Sequence, residues 1–332
     1  MNSNAVASIV LTAVGATWAQ TPSEWHDPSP HHLQFVNVQE NVKLEVLDWG
    51  GSGRAIIFLP GLGNTGHVFD DFAPKLTDVF HVYGITRRGF GASSAPESGY
   101  DADRLGDDVL AVIEALRISR PVLAGHSLGG EELSSIGTRH PEKVSGLIYL
   151  DAGYSYAFDN GKGMTTEAQN DAMKHPPPSG PLPLADDRSS FAAFRDWNER
   201  TNGTHFPESE VRQLFAARPD GGVGLPRTPP KVSQDIFAGF RKYTEVRAPI
   251  LAIFAVPHSD PPWLASAKDD VREKIKTFNQ QFGALAEKQV KAFADGLPNA
   301  HVVRIPNANH YVFMSNEADV LPEMRAFIAQ LK

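Results

Sequence analysis

The pattern of apolar and polar positions changes three times along the chain. Residues 33–38 and 42–49 alternate between apolar and polar side chains, which is typical of half-buried antiparallel strands. Strand-like and helix-like runs then alternate through residue 150, a rhythm that predicts an α/β fold with a mostly parallel, doubly wound sheet.

The second change begins at residue 152, where the regular pattern stops. Prolines interrupt the chain from there to about residue 246, including Pro176-Pro177-Pro178, and prolines at that density break helices into short pieces. Regular strand and helix patterns resume at Pro249. We therefore predict an inserted segment, residues 152–246, between two strands of one core formed by residues 20–151 and 247–332.

Composition narrows the class of protein. The chain has 332 residues with 41% hydrophobic side chains, enough for a large core, and its formal net charge of -8 with no basic cluster argues against a nucleic acid partner. It has no cysteine, which excludes disulfides and thiolate chemistry. No HExxH motif and no tight His/Asp cluster occurs in the sequence, so we expect neither a metal nor a cofactor. His31 and His32 are interpreted as an exposed pair in a flexible approach to the core.

The amino terminus carries a run of small and apolar residues. Residues 5–19 are too few to span a membrane and end in Ala16-Thr17-Trp18-Ala19 before polar residues. We interpret residues 1–19 as a signal peptide cleaved near Ala19, which predicts a secreted or periplasmic protein without an integral membrane span. A cytoplasmic location stays open, because the first four residues carry no Lys or Arg.

Three side chains with catalytic potential follow three predicted strands. Ser127 lies within Gly125-His126-Ser127-Leu128-Gly129, where a strand turns sharply into a helix, and such a turn exposes a serine nucleophile. Asp260 and His310 each follow a later strand-like run. The carboxyl ends of parallel strands share one edge of a sheet, where catalytic side chains gather. Asp151 also follows a strand-like run and is the alternative acid.

These residues, together with two glycine-containing turns, make the chain resemble the α/β-hydrolase superfamily, specifically its lidded serine esterase and lipase-like members. The resemblance covers roughly residues 33–331 and rests on five places: Leu59-Pro60-Gly61-Leu62-Gly63, Arg88-Gly89-Phe90-Gly91-Ala92-Ser93, the turn around Ser127, the loop ending in Asp260, and Asn309-His310. It implies a serine hydrolase that cleaves a small apolar ester.

The resemblance also implies a role for each site residue. Ser127 would attack the acyl carbon, His310 would act as general base and acid, and Asp260 would orient His310. The amides of Leu62 and Leu128 would form the oxyanion hole. Residues 152–246 would form the lid, and the pocket walls would include His126 and Trp263.

Other functions stay open at this point. The same triad could cut an amide, a peptide or a carbon–carbon bond, and a lidded relative could bind a ligand without turning it over. Gly61-Leu62-Gly63-Asn64-Thr65-Gly66 also matches the GxGxxG pattern of dinucleotide-binding proteins, and Arg87 and Arg88 follow the next strand. Pro60 at the strand end and the lack of a Tyr-x-x-x-Lys pair argue against such an NADP-dependent oxidoreductase.

Overall fold

The computed structural model describes residues 25–172, 174 and 176–332. The signal peptide predicted at residues 1–19 lies outside these residues, so it stays a prediction. Within the described ranges, no helix combines the length and the apolar character that a membrane span requires.

Eight strands form one central sheet. They are β1 (His32–Gln39), β2 (Val42–Gly50), β3 (Arg54–Leu59), β4 (Phe80–Ile85), β5 (Val122–His126), β6 (Gly146–Leu150), β9 (Ile250–Phe254) and β10 (Ala300–Arg304), and the short strands β7 (Phe215–Ala217) and β8 (Val223–Pro226) form a separate hairpin. The spatial order is β1-β2-β4-β3-β5-β6-β9-β10. β1 and β2 are antiparallel to their neighbours, and every pairing from β4 to β10 is parallel. The predicted fold class is confirmed.

The helices connect the parallel strands and cover both faces of the sheet. They are α1 (Ala102–Ala115), α2 (Gly129–Arg139), α3 (Thr166–Ala172), α4 (Phe191–Asn202), α5 (Glu208–Leu214), α6 (Pro230–Ala238), α7 (Asp269–Gly296), α8 (Val312–Ser315) and α9 (Glu317–Gln330). Short 3-10 turns occupy Gly66–Phe69, Ala73–Leu76, Pro141–Lys143, Asp186–Arg188 and Pro262–Ser266.

The three central strands are continuous apolar runs because both of their faces are covered. Every residue of β5, β6 and β9 is buried. Apolar residues of α1, α2 and α7 pack on one face of the sheet, and those of α9 and the 3-10 turn at Gly66–Phe69 pack on the other. This two-sided core fixes the positions of the loops that leave the strands.

Between β6 and β9 the chain forms short elements, as the proline-rich composition predicts. They are α3, α4, α5, the β7–β8 hairpin and α6. One apolar cluster within this segment joins Phe191, Phe194, Val211 and Val223. A second cluster places Val232 and Ile236 of α6 against Phe90 and Leu128 of the core. The segment between β6 and β9 therefore has a small core of its own and packs on the loops at the carboxyl edge of the sheet.

Candidate functional site

Ser127 occupies a sharp turn between β5 and α2. Its φ is +47°, the left-handed region that side chains other than glycine rarely adopt. The Ser127 carbonyl accepts a hydrogen bond from Gly130 N at 2.9 Å, which starts α2 immediately after the turn. The side chain is partly exposed although its neighbours are buried. Strain at this single residue therefore presents the hydroxyl at the carboxyl edge of the sheet.

Two glycines after Ser127 are required by close backbone approach. A Cβ at Gly129 would lie 2.6 Å from the Leu59 carbonyl oxygen, and a Cβ at Gly130 would lie 2.1 Å from the Ala152 carbonyl oxygen. Both distances are far below van der Waals contact, so only glycine fits. The glycines that mark this turn in the sequence are thus required by the backbones at the ends of β3 and β6, which lie against them.

His310 is paired with Asp151, not with Asp260. His310 Nδ1 lies 2.6 Å from Asp151 Oδ2, and the Asp151 side chain is fully buried at the end of β6. Burial acts to raise the pKa of Asp151, but hydrogen bonds from His258 and His310 outweigh it and hold this pKa well below its usual range. Asp151 is therefore an ionised carboxylate that fixes the orientation of the His310 ring.

The expectation that Asp260 orients His310 is wrong. After β9, a parallel bridge joins His258 to Ala308, and Ser259 N donates to the Ala308 carbonyl at 2.8 Å. This pairing turns the His258 side chain inward, and Asp260 lies two residues further along the loop. Asp260 is exposed and accepts a hydrogen bond from Asn279 of α7 at 3.0 Å.

A second histidine contacts the same carboxylate. His258 Nε2 lies 2.6 Å from Asp151 Oδ2. The other oxygen, Oδ1, accepts from Ala255 N at 3.0 Å and from the Tyr154 hydroxyl at 2.9 Å. Burial acts to lower the pKa of His258, but the hydrogen bond and charge of Asp151 outweigh it and raise this pKa. Four donors therefore hold Asp151 in one orientation.

His126, predicted as a pocket wall, packs against His310. Its ring centroid lies 4.7 Å from that of His310, and its Nε2 donates to the His310 carbonyl at 3.1 Å. A carbonyl only accepts, so the proton is on Nε2 and the buried Nδ1 has no hydrogen-bond partner among the described residues. Burial lowers the pKa of His126 well below its ordinary value. His126 is thus a neutral residue that positions the backbone of His310.

The loop after β3 lies directly against Ser127. A Cβ at Gly61 would be 3.1 Å from Ser127 Cβ and 3.0 Å from His126 Nδ1. Leu62 follows in this loop, and Leu128 follows Ser127 itself. Among the described hydrogen bonds, the amides of Leu62 and Leu128 are not donors. The loop that contains Leu62 therefore lies beside the serine, and neither amide donates to another described residue.

Arg87 is hydrogen-bonded to the backbone of this loop. Its guanidinium makes a two-pronged pair with Glu132, at 2.7 and 2.8 Å, and donates to the carbonyls of Pro60 at 2.7 Å and Gly61 at 3.3 Å. Arg88 is paired in the same manner with Asp108, at 2.6 and 2.7 Å. Both guanidiniums are buried, which leaves neither available for the ribose phosphate of NADP.

Glu210 of α5 is hydrogen-bonded to the same loop. Its carboxylate accepts from Asn64 Nδ2 at 2.9 Å, from Thr65 N at 3.1 Å and from the Thr65 hydroxyl. The Tyr311 hydroxyl donates to Asn64 Oδ1 at 3.0 Å. Burial raises the pKa of Glu210 to about 7 against these hydrogen bonds. The segment between β6 and β9 is thereby attached to the loop that contains Leu62.

An apolar cluster lies beside Ser127 and includes the next residue, Leu128. Leu62, Leu128 and Tyr156 pack in one cluster with residues of α6 and with Phe240. The Tyr156 hydroxyl interacts with Ser127, and burial raises the pKa of Tyr156 above its ordinary value. Trp263, also predicted as a pocket wall, packs against Gly180, so its assignment to the pocket stays a prediction.

Glu131 is a buried carboxyl one helical turn after Ser127. Both of its side-chain oxygens are buried, and the carboxyl group faces the backbone of Arg241. Burial and the neighbouring charge of Glu132 raise the pKa of Glu131 to about 9. The side chain is therefore a neutral carboxylic acid at pH 7.

Two groups of His and carboxylate side chains are close enough to hold a metal ion. One is Asp151, His258 and His310, whose nitrogen and oxygen atoms are joined by the hydrogen bonds given above. The other comprises Asp27, His31, His67 and Asp70. The expectations that His31 is exposed and that the chain lacks a tight His/Asp cluster are wrong. The His31 side chain is 5% exposed and its Nδ1 lies 2.8 Å from Asp70 Oδ1.

Sequence reasoning missed the roles of three residues at the site. His258 is separated from Asp260 by one residue, but nothing local shows which of the two side chains points inward. Tyr156 and Glu210 lie in the proline-rich segment, where the pattern predicts no regular element. Asp151 was recognised as the alternative acid because it directly follows the last residue of β6.

A model of the alpha/beta hydrolase family matches residues 56–323 of this chain, which include Ser127, Asp151 and His310. This chain belongs to the alpha/beta hydrolase family.

The curated relatives align with this chain over only part of their own length. A 2-(acetamidomethylene)succinate hydrolase of Mesorhizobium japonicum is 32% identical over 30% of this chain and 36% of its own. A bifunctional esterase/perhydrolase of Acinetobacter calcoaceticus is 32% identical over 36% of this chain and 45% of its own. The matched region thus spans between about a third and a half of these relatives.

Solved structures match the fold over most of the chain. The crystal structure of E-2-(acetamidomethylene)succinate hydrolase superposes with a TM-score of 0.64 at 20% identity, covering 90% of this alpha/beta hydrolase and 99% of that chain. A carboxylesterase from Bacillus subtilis superposes with a TM-score of 0.57 at 13% identity, covering 91% and 92%. At these identities the likeness concerns the fold.

Proposed function

We propose that this alpha/beta hydrolase is a serine hydrolase that cleaves carboxylic esters through an acyl-enzyme. Ser127 is the nucleophile, His310 the general base and acid, and Asp151 the orienting acid. The observation that supports this most strongly is the 2.6 Å contact of His310 Nδ1 with the buried Asp151, at the same sheet edge as the strained turn of Ser127.

The proposed reaction uses these groups in two steps. His310 takes the proton of Ser127 as its oxygen bonds to the acyl carbon, and the carbonyl oxygen becomes an oxyanion that accepts from the amides of Leu62 and Leu128. The bond from the acyl carbon to the alcohol oxygen then breaks, and His310 returns the proton to the departing alcohol. Water repeats the sequence, releasing the acid and restoring Ser127.

The arrangement of Asp151 supports His310 as the base. An anion beside Nδ1 keeps the proton on that nitrogen and leaves Nε2 free to accept. It also stabilises the imidazolium that forms when the serine proton is taken.

The apolar surroundings of Ser127 support an apolar acyl or alcohol group. We infer that residues 152–246 act as a lid that forms part of this pocket, because Val232 and Ile236 pack with Leu62 and Leu128. Replacing Val232 by Ala should shift the preferred ester toward a longer chain, since it widens the pocket. The exposed Leu225 provides a matched control, and an unchanged preference in Val232→Ala would contradict the lid.

Amide cleavage is a second candidate function. The relative from Mesorhizobium japonicum is named for a substrate that carries an acetamido group. The same triad attacks an ester and an amide by the same steps, and an amide nitrogen requires the same proton from His310.

The test is hydrolysis of a chain-length series of p-nitrophenyl esters, with intact-mass detection of a fluorophosphonate adduct. Wild-type protein should turn over and gain one adduct, and Ser127→Ala should do neither. Ser52→Ala is the matched control, since Ser52 is exposed and precedes β3 at the opposite edge of the sheet. Labelling without ester cleavage would favour the amide. Absence of both would leave a ligand-binding protein.

A further inference from the structure

A His–Asp cluster lies beside the loop after β3, outside the site of Ser127. It comprises Asp27 and His31, which precede β1, and His67 and Asp70, which lie in the loop after β3. Taking one ligand atom from each residue, all four atoms lie within 4.8 Å of one another. The side chains of His31, His67 and Asp70 are at most 5% exposed, and that of Asp27 is 26% exposed.

Contacts within the His–Asp cluster are near the spacing of ligand atoms around one metal ion, and His31 reaches the two carboxylates through different ring nitrogens. His31 Nδ1 lies 2.8 Å from Asp70 Oδ1, and His67 Nδ1 lies 3.1 Å from Asp70 Oδ2 and 3.6 Å from Asp27 Oδ2. His31 Nε2 lies 3.8 Å from Asp27 Oδ2. Zinc binds histidine nitrogen and carboxylate oxygen at about 2.0 Å, so neighbouring ligand atoms of a tetrahedron are about 3.3 Å apart.

The histidine at the centre of the cluster has the outer partner that metal-binding histidines have. His67 Nε2 faces Glu45 Oε1 at 3.5 Å, and both atoms are buried without a hydrogen-bond partner among the described residues. Glu45 Oε2 is itself held by the Thr86 hydroxyl at 2.7 Å. With a metal on Nδ1, the neutral ring carries its proton on Nε2, the nitrogen that faces the Glu45 carboxylate.

Asp70 is supported in the same way. Trp49 Nε1 donates to its Oδ1 at 3.0 Å, and the Ser209 hydroxyl donates to its Oδ2 at 2.6 Å. Each oxygen thus has one fixed donor from outside the cluster, and its remaining lone pair points toward the histidines. Because Ser209 belongs to α5, the cluster joins the start of the described chain, the loop after β3 and the segment between β6 and β9.

Charge gives a further reason for a cation. Asp70 and Glu45 are fully buried carboxylates, and Asp27 adds a third beside them. Buried carboxylates at this density are stable only with compensating positive charge. Two neutral imidazoles supply none, so the cluster requires either protonated histidine or a divalent cation.

We propose that Asp27, His31, His67 and Asp70 bind one divalent transition-metal ion, with zinc the best match to two imidazoles and two carboxylates. All four tetrahedral positions are taken by side chains, which is the arrangement of a structural rather than a catalytic zinc site. The ion stabilises the folded chain by joining the segment before β1 to the loop after β3. This site is independent of the reaction proposed for Ser127.

The experiment uses full-length protein without an affinity tag, dialysed against a chelator and then equilibrated with zinc chloride. After desalting, metal analysis should find one zinc per chain. Cobalt chloride in its place should give the intense visible absorption of four-coordinate cobalt. Zinc should raise the melting temperature of the metal-free protein.

Variants separate this site from the catalytic one. His67→Asn should lose zinc and the cobalt spectrum, and His258→Asn is the matched control because it removes a ligand from the only other such group found in the described residues. Asp27→Asn covers the case that His67→Asn does not fold. Its side chain is partly exposed, and we expect zinc affinity to fall at least tenfold. No zinc in the wild type, or equal zinc in wild type, Asp27→Asn and His67→Asn, would overturn the proposal in favour of protonated histidine.

Discussion

His258 and His310 contact the same carboxylate oxygen, Oδ2 of Asp151, each at 2.6 Å. Their ring planes are nearly perpendicular, at 86°, which lets both nitrogens reach one atom. The acid of the proposed triad therefore serves two histidines, one from the loop after β9 and one from the loop after β10. We infer that His258 would act on the proposed reaction only through Asp151, as a positioning residue.

Replacing His258 by Gln should destabilise the protein most at low pH. The pKa of His258 is raised in the folded state above its ordinary 6.5, so its contribution to folding is complete below pH 6.5 and is lost as pH rises through the raised pKa. The difference in unfolding free energy between wild type and variant, from urea titrations across this range, should shrink with rising pH. His301→Gln, on an exposed histidine, is the control. A difference that grows with pH would contradict the pairing.

Replacing Glu131 by Gln should stabilise the protein increasingly as pH rises. The pKa of Glu131 is raised from 4.5 to about 9, so above pH 4.5 the unfolded chain releases a proton that the folded chain retains. Wild type should lose stability relative to Glu131→Gln by at most about 1.4 kcal/mol per pH unit, until the folded group ionises near pH 9. Urea titrations of both proteins, with exposed Glu142→Gln as control, measure this. Parallel stability curves for wild type and Glu131→Gln would show that Glu131 is ionised in the folded protein.

Two helical glycines should respond in opposite directions to alanine. In α2, a Cβ at Gly130 meets the Ala152 carbonyl oxygen at 2.1 Å, so Gly130→Ala should cost at least about 1–3 kcal/mol of stability. In α7, a Cβ at Gly283 meets nothing within 4 Å, so Gly283→Ala should stabilise by up to about 1 kcal/mol. Urea midpoints compare the two directly. Equal changes in the two urea midpoints would contradict the close approach of Gly130 to the Ala152 carbonyl.

The fold could be predicted from the sequence because its signals are local. β5, β6 and β9 are short apolar runs bounded by turns, and the structure buries every residue of each. The sharp turn at Ser127 could be predicted for the same reason, since the residues that follow Ser127 must be glycine where the backbones approach closely. His310 follows the last strand of the sheet by a short loop, which limits where its side chain can lie.

The contact of His310 with Asp151, and not with Asp260, could not be predicted, because it depends on a pairing between distant parts of the chain. Residues 255–260 leave β9 as an irregular loop, and only the bridge between His258 and Ala308 decides that His258 points inward. A carboxylate after β9 and one after β6 are equivalent in the sequence. The His–Asp cluster was missed on the same ground, since His31 and His67 are far apart in the chain and are joined only by the folding of β1 to β3.

The most direct test of the proposed triad compares Asp151→Asn with Asp260→Asn by kcat/KM on the best p-nitrophenyl ester. Asp151→Asn should lose about 10⁴-fold in kcat/KM, because His310 loses the anion that fixes its ring and stabilises its charge. Asp260→Asn should stay within about twofold of wild type, as expected for an exposed position. A large loss in Asp260→Asn together with near-normal activity in Asp151→Asn would show that Asp260, not Asp151, orients His310.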